Sequence, residues 1–196
     1  AHVAHLAIGT SLATIVFTSI SSMRSHHARG AVEWGIFRLI SPGILAGSLV
    51  GTWVAAQLST RFLKGFFVVF LIYVSIQMFL DFKPSPHRPV GRFGLFGFGS
   101  LIGGISALVG IGGGTMSVPF LIWHALPIRS AIGTSAAIGF PIAISGTLGY
   151  ILNGIPESTL PPYTIGYIYL PALVGVSVMS MFTAPLGAKV AHWIPV

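Results

Sequence analysis

The chain has 196 residues, of which 54% are hydrophobic and only 7% are charged. Soluble domains carry about a quarter charged residues, so this composition excludes a water-soluble globular fold and indicates a membrane protein. The net charge of +7 does not indicate a nucleic-acid partner, because the basic residues stand singly or in small groups between long uncharged runs and form no stripe.

Six uncharged runs follow one another along the sequence, and a bilayer core requires about 20 apolar residues for one helix. Apolar residues are continuous in these runs and do not alternate with polar ones, which excludes the strands of an outer-membrane barrel. We therefore predict an all-α fold, a polytopic transmembrane helical bundle. Its spans lie within residues 3–23, 39–60, 65–80, 93–128, 130–156 and 158–188.

The fourth run is longer than one span, with 36 residues, and it holds nine glycines between Gly94 and Gly114. Such a dense glycine segment predicts a glycine-broken helix or a re-entrant pair of helices. A membrane tolerates irregular backbone of this kind only where it faces protein or a polar cavity.

An internal repeat divides the sequence. Ala7-Ile-Gly-Thr-Ser11 recurs letter for letter as Ala131-Ile-Gly-Thr-Ser135, which is 124 residues later (131 − 7). Further on, Leu49–Ala55 aligns loosely with Pro185–Ala191. We predict a first repeat over residues 1–82, a proline-rich linker over 83–92 and a second repeat over 93–196.

Loop charges indicate how the two repeats are oriented. The loop after the first Gly-Thr-Ser segment holds Arg24, Arg29 and Arg38, whereas the matching loop of the second repeat holds Glu157 and no base. The positive-inside rule places these loops on opposite sides of the membrane, with Glu157 outside. If the fourth run enters and leaves on one side, eight bases lie inside and two outside, against six and four for a single crossing. The charges favour inverted repeats, which recur in transporters.

Three motifs resemble the sulfite exporter TauE/SafE family. They are Gly110-Ile-Gly-Gly-Gly114 followed by Val118-Pro119, the paired Ala-Ile-Gly-Thr-Ser segments, and the proline- and tyrosine-rich segment Leu160–Pro171. The resemblance implies a multi-pass permease of the plasma membrane that moves sulfite or small organosulfonates. Members of the family carry a glycine motif in both halves, and the first is absent from this sequence. The resemblance therefore also implies a fragment that lacks at least one terminal helix at each end.

The glycine break predicts an anion-binding site. Glycines leave backbone N–H groups free, and the N-terminus of the helix that follows carries about half a positive charge. The predicted substrate-binding residues are Gly110, Gly112, Gly113, Gly114, Gly133, Thr134 and Ser135, with Thr10 and Ser11 from the other half. The alternative is that the glycines only permit close helix packing and that the hydroxyls bond back to their own helices.

The sequence gives little support for a metal site, a cofactor or a catalytic site. The chain has no cysteine and no carboxylate within a predicted span, and its histidines are scattered, so we predict no metal site, no cofactor and no enzyme. Proton coupling would have to use a histidine, Glu33 or Glu157, or helices outside this sequence. We predict a transporter of a small anionic substrate that has the lipid bilayer as its partner; a homo-oligomer stays open. The alternatives are a membrane-embedded enzyme and an accessory scaffold subunit.

Overall fold

The computed structural model describes residues 2–80 and 91–193, which form a bundle of α-helices. Within these residues, six helices are long and apolar enough to cross a bilayer, and a seventh, α5, has only ten residues. The predicted all-α membrane bundle is confirmed. The helices are α1 (Val3–His27), α2 (Trp34–Gln57), α3 (Thr60–Phe79), α4 (Arg92–Val109), α5 (Gly114–Trp123), α6 (Ile128–Gly154) and α7 (Leu170–Trp193).

A short β-hairpin interrupts the run that the sequence predicted as the last span. Strands β1 (Thr164–Ile165) and β2 (Ile168–Tyr169) pair antiparallel, and α7 begins only at Leu170. The last span therefore begins 12 residues after the start of the uncharged run 158–188 (170 − 158). Pro161 and Pro162 explain the difference, because two consecutive prolines remove two backbone N–H donors, whereas single prolines such as Pro42 and Pro141 are accommodated inside the helices of this bundle.

Helices α1 and α6 pack against each other at the centre and run antiparallel. The segment that follows α1 bonds to the beginning of α6, where the amide of Glu33 donates to Thr134. The segment that follows α6 bonds to the beginning of α1, where the amide of Tyr169 donates to Thr10. We call the end of the bundle where α1 ends and α6 begins the arginine end, and the opposite end the hairpin end.

Helices α2 and α4 lie unusually close because glycines face backbone carbonyls along their whole contact. A Cβ atom at Gly51 would lie 2.7 Å from the Gly104 carbonyl oxygen, which leaves no room for a side chain. Both helices begin at the arginine end and run parallel, since successive glycines of α2 face successive positions of α4. This small-residue packing is typical of membrane helices. The facing pairs are Gly43 with Phe96, Gly47 with Ser100 and Gly51 with Gly104.

Helix α5 turns back along α4. The ring of Phe120 in α5 lies 4.6 Å from that of Phe98 in α4, and the ring of Trp123 lies 5.7 Å from it. Since Phe98 belongs to the first half of α4, the end of α5 has returned toward the arginine end. The predicted broken helix is thus a re-entrant pair, α4 and α5, joined by residues 110–113.

Basic residues concentrate at one end of the bundle, but most of them lie within helix termini and not in loops. Arg38, predicted to lie in a loop, belongs to the first turns of α2, because α2 begins at Trp34. Residues 83–90 of the predicted linker lie outside the described residues, and Arg92 already starts α4. Among the described residues, the arginine end carries six bases and the hairpin end two, Arg61 and Lys64. The six are Arg24, Arg29, Arg38, Arg92, Arg129 and Lys189.

Candidate functional site

The re-entrant loop takes its shape from two glycines in left-handed backbone conformations. Gly110 ends α4 with φ of 77°, and Gly113 precedes α5 with φ of 45°. Glycine adopts this region without the steric cost that a Cβ atom brings. A Cβ atom at Gly113 would also lie 2.8 Å from Cδ1 of Ile142 in α6. The break therefore depends on glycine both for its conformation and for its packing.

Helix α1 closes one side of the loop. The hydroxyl of Ser11 donates to the carbonyl oxygen of Gly110 over 2.8 Å, which satisfies a carbonyl at the end of α4. A Cβ atom at Gly110 would lie 3.2 Å from Cα of Ile8, and one at Gly112 would lie 3.1 Å from Cγ2 of Ile15. The Ser11 hydroxyl thus donates its proton to a backbone carbonyl in this structure.

Helix α6 lines the other side of the loop with a free hydroxyl. Ser135 is 3% exposed, and no hydrogen bond joins its Oγ to another described residue. This oxygen lies 3.8 Å from the position where Gly114 would carry a Cβ. The hydroxyl of Thr115, in the first turn of α5, is also buried and has no partner among the described residues.

Two backbone amides complete a set of donors at the N-terminus of α5. The amides of Gly110, Ile111, Gly113 and Gly114 bond to carbonyls within the loop and the last turn of α4. Those of Gly112 and Thr115 have no partner among the described residues. Two amides and two hydroxyls without a partner among the described residues therefore lie on the loop, on the first turn of α5 and on the facing part of α6, at the end where the dipole of α5 is positive and favours an anion.

The threonines of the repeated motif make structural contacts through their hydroxyl oxygens, which accept backbone amides. The Oγ1 atom of Thr134 accepts the amide of Glu33 over 2.9 Å, and that of Thr10 accepts the amide of Tyr169 over 2.9 Å. The preceding glycines fit the same segments, since Gly133 faces the carbonyl of Ala31, and a Cβ atom at Gly9 would lie 2.6 Å from the carbonyl of Tyr167. Each Gly-Thr pair thus contacts a segment of the other repeat that directly precedes a helix. The pair in α6 contacts the segment before α2, and the pair in α1 contacts the segment before α7.

In these contacts, the equivalent residues of the two repeats are separated by the same number of sequence positions. Glu33 and Tyr169 are 136 residues apart (169 − 33), as are Ala31 and Tyr167 (167 − 31). The predicted alignment of Leu49 with Pro185 has the same offset (185 − 49). The two equivalent segments lie at opposite ends of the antiparallel α1–α6 pair, which is the arrangement that inverted repeats require.

The equivalent interfaces of the two halves differ in polarity. Between α1 and α7, the hydroxyl of Thr18 donates to that of Ser180 over 2.6 Å. At the equivalent positions of α6 and α2 stand Ile142 and Ile44, both fully buried. A cavity of about 690 Å³ follows the polar interface from the hairpin end inward. Its lining includes Thr10, Ser11, Thr14, Pro161, Tyr169 and Val176.

The structure thus divides the predicted site residues into two groups. Six of them meet at the break, and the other three, Thr10, Gly133 and Thr134, hold the two halves together. Thr115 was missed, although its position directly after the glycine run places it in the first turn of the next helix. The six are Ser11, Gly110, Gly112, Gly113, Gly114 and Ser135.

Comparisons with known proteins agree on one family. The family model described as sulfite exporter TauE/SafE matches residues 2–196. The chain is 36% identical over 195 residues to a probable membrane transporter protein of Haemophilus influenzae, covering 97% of this chain and 73% of the relative. It is 28% identical over 201 residues to the probable membrane transporter protein YdhB of Bacillus subtilis, covering 97% and 76%. No solved structure matches the chain.

Proposed function

This chain belongs to the sulfite exporter TauE/SafE family of membrane transporters, and we propose that it moves a small anion, sulfite or an organosulfonate, across the plasma membrane. The observation that carries the choice of an anion is the set of unpaired donors at the N-terminus of α5. An anion that leaves water must find hydrogen-bond donors, because burying an unpaired charge is costly. Four such donors belong to the second repeat, on the re-entrant loop, α5 and α6.

The proposed site consists of the amides of Gly112 and Thr115, the hydroxyls of Thr115 and Ser135, and the space beside Gly114. A sulfonate or sulfite offers three acceptor oxygens, which suits several unpaired donors on neighbouring segments. Because Ser135 belongs to α6 and the amides belong to the re-entrant loop, a shift between these elements would change the site. We propose that such a shift exposes the anion to each side in turn, as in transporters built from repeats.

Counterflow of labelled sulfite in proteoliposomes tests this function. An exchange that needs unlabelled sulfite inside the vesicles is expected for a transporter, whereas an accessory scaffold would give none. A membrane enzyme would consume the anion, and chemical analysis of the vesicle contents would reveal its product. A binding screen of sulfite, sulfate, sulfoacetate and short carboxylates would then rank the substrates.

The site predicts a specific effect of removing the Ser135 hydroxyl. Ser135→Ala should weaken sulfite binding about ten- to a hundred-fold, because a hydrogen bond to a charged group contributes about 1.5–3 kcal/mol. Ser145→Ala is the matched control, since Ser145 lies buried in the same helix and donates to the carbonyl of Pro141. Calorimetric titration of the purified protein measures both affinities. Equal affinities in the two variants would move the site away from Ser135.

Orientation gives a second prediction. The arginine end carries six described bases and the hairpin end two, so we propose that the arginine end is cytoplasmic. Ala28 and Ser158 are exposed at the two ends, and the chain has no cysteine. In intact cells, an impermeant maleimide is expected to label Ser158→Cys and to spare Ala28→Cys until the membrane is opened. Labelling of both variants in intact cells would contradict the inverted arrangement.

A further inference from the structure

Four ionisable side chains gather at the hairpin end, where α1 begins. Nε2 of His2 lies 3.1 Å from Oε2 of Glu157, and the Tyr167 hydroxyl lies 3.4 Å from Nδ1 of His2. The ring of His5 stacks on that of Tyr167 with centroids 5.0 Å apart, and the ring of His2 lies 5.5 Å from that of His5. Residues from α1, from the loop after α6 and from the hairpin therefore meet in one cluster.

One ring nitrogen of His5 has a hydrogen-bond partner, and the other has none among the described residues. Its Nε2 lies 3.0 Å from the carbonyl oxygen of Ala55 at the end of α2. A carbonyl only accepts, so Nε2 carries the hydrogen and Nδ1 carries a lone pair. This Nδ1 is buried and has no partner among the described residues, and the residue is only 3% exposed. His5 therefore holds a proton acceptor inside the bundle that no structural contact uses.

The exposed fraction of the side chains decreases from Glu157 through His2 to His5. The side chains of Glu157 and His2 are 36% and 25% exposed, whereas His5 is buried. An imidazole is the side chain that changes charge between about pH 5 and 8. The Tyr167 phenol stays protonated there, because burial and the Glu157 charge raise its pKa. The remaining neighbours are Tyr150 of α6, with its ring 6.3 Å from that of Tyr167, and Lys64 of α3, which lines a cavity with Val3 and Ala4.

We propose that His2, Glu157 and His5 form the binding site for a proton that is transported together with the anion, an inference that rests on the proposed function. A proton from the outer solution binds Nε2 of His2 beside the Glu157 carboxylate. It then passes to the free Nδ1 of His5, while Nε2 of His5 keeps its bond to Ala55. His5 then releases the proton to the inner side together with the anion, which returns His2, Glu157 and His5 to their starting protonation states.

The proton site is connected to the anion site in two ways, through the charge on His5 and through helix α1, which contains both His5 and Ser11. His5 precedes Ser11 by six residues in α1, which is about 9 Å along the helix, and Ser11 bonds to the glycine loop. Besides the Glu157 carboxylate beside His2, an anion bound nearby supplies further negative charge that favours a buried imidazolium. The hairpin that carries Tyr167 also docks Tyr169 on Thr10. Because linkage is reciprocal, the proton must then raise anion affinity by the same factor as the anion raises proton affinity.

Uptake of labelled sulfoacetate by proteoliposomes tests the proposal, because this anion keeps its charge between about pH 6 and 8. The full transporter should bind sulfoacetate about tenfold more tightly at pH 6 than at pH 8, and an inward proton gradient should drive its accumulation. In His5→Gln, a side-chain amide can still donate to Ala55 but cannot take up a proton. This variant should retain counterflow and lose both the pH effect and the accumulation.

His27→Gln is the matched control, since His27 is exposed at the arginine end and its ring contacts Trp34. This control should behave like the unaltered protein. Counterflow without any response to the proton gradient would overturn the proton site and leave the proposed function intact. Absence of counterflow at both pH values would overturn the proposed function and the proton site together. If His5→Gln does not fold, loss of the pH effect in Glu157→Gln decides the question, and its persistence there overturns the proposal.

Discussion

Substituting leucine for Gly114 is expected to reduce anion binding and counterflow at least a hundred-fold while the helices stay folded. Among the described residues outside the backbone of α5 and its flanks, Ser135 Oγ is the one atom within 4 Å of an added Cβ, and at 3.8 Å it would make an ordinary contact. A leucine side chain therefore enters the volume proposed for the anion without displacing backbone. It also separates the Ser135 hydroxyl from the amides of Gly112 and Thr115. Losing several hydrogen bonds to a charged group at once exceeds the effect of removing one donor.

Gly97→Leu provides the control for this substitution. Gly97 belongs to α4 and has no atom within 4 Å of an added Cβ, but it is exposed on the outside of the bundle. Both variants should show the same melting temperature in detergent, and only Gly114→Leu should lose sulfite binding in calorimetric titration. A Gly114→Leu protein that exchanges sulfite at the normal rate would show that the anion binds elsewhere.

The double variant Thr10→Val, Thr134→Val is expected to lose about 2–4 kcal/mol of unfolding free energy. Each valine keeps the shape of threonine but removes the oxygen that accepts the amide of Tyr169 or Glu33. An unpaired amide in a dry interface costs about 1–2 kcal/mol. The two contacts lie at opposite ends of α1 and α6 and share no partner, so their effects should add. Unfolding in mixed micelles with increasing dodecyl sulfate measures the loss.

The matched control for the threonine variant is Thr183→Val in α7. Thr183 is exposed, and its hydroxyl donates to the carbonyl of Met179 in its own helix, so the free energy of unfolding should change by less than about 0.5 kcal/mol. A double variant as stable as this control would mean that the reciprocal contacts contribute little to holding the two halves together.

The sequence predicted the features of this fold that depend on local composition. Long uncharged runs require helices in lipid, and a dense glycine run interrupts a helix wherever it occurs, so both the bundle and the break between Gly110 and Gly114 followed. The hairpin was missed because residues 158–169 carry no formal charge and have the composition of a span. Its signal was the pair Pro161-Pro162, which no helix interior accommodates.

The sequence predicted which segments lie together at the proposed site but not the backbone contacts that the threonines make, and the substrate-binding role of these residues stays a prediction. The loop and Ser135 meet as expected, but the Thr10 and Thr134 hydroxyls accept amides that lie 159 and 101 residues away in sequence. A threonine hydroxyl donates and accepts equally well, so its residue type does not reveal which partner it finds. Thr115 was overlooked for a related reason, since its importance comes from a buried hydroxyl without a partner, which only the packing around α5 creates.

The contacts of Thr10 and Thr134 also determine the order in which the two halves reach their final packing during synthesis. Thr10 leaves the ribosome 159 residues before its partner Tyr169. At about 5–20 residues per second, α1 waits roughly 8–30 s for the segment that covers it. Thr134, by contrast, emerges after Glu33 and finds its partner already inserted. The first half therefore cannot reach its final packing in the membrane before the hairpin is translated, and a chain released at the linker would keep the Gly9–Thr10 surface of α1 uncovered.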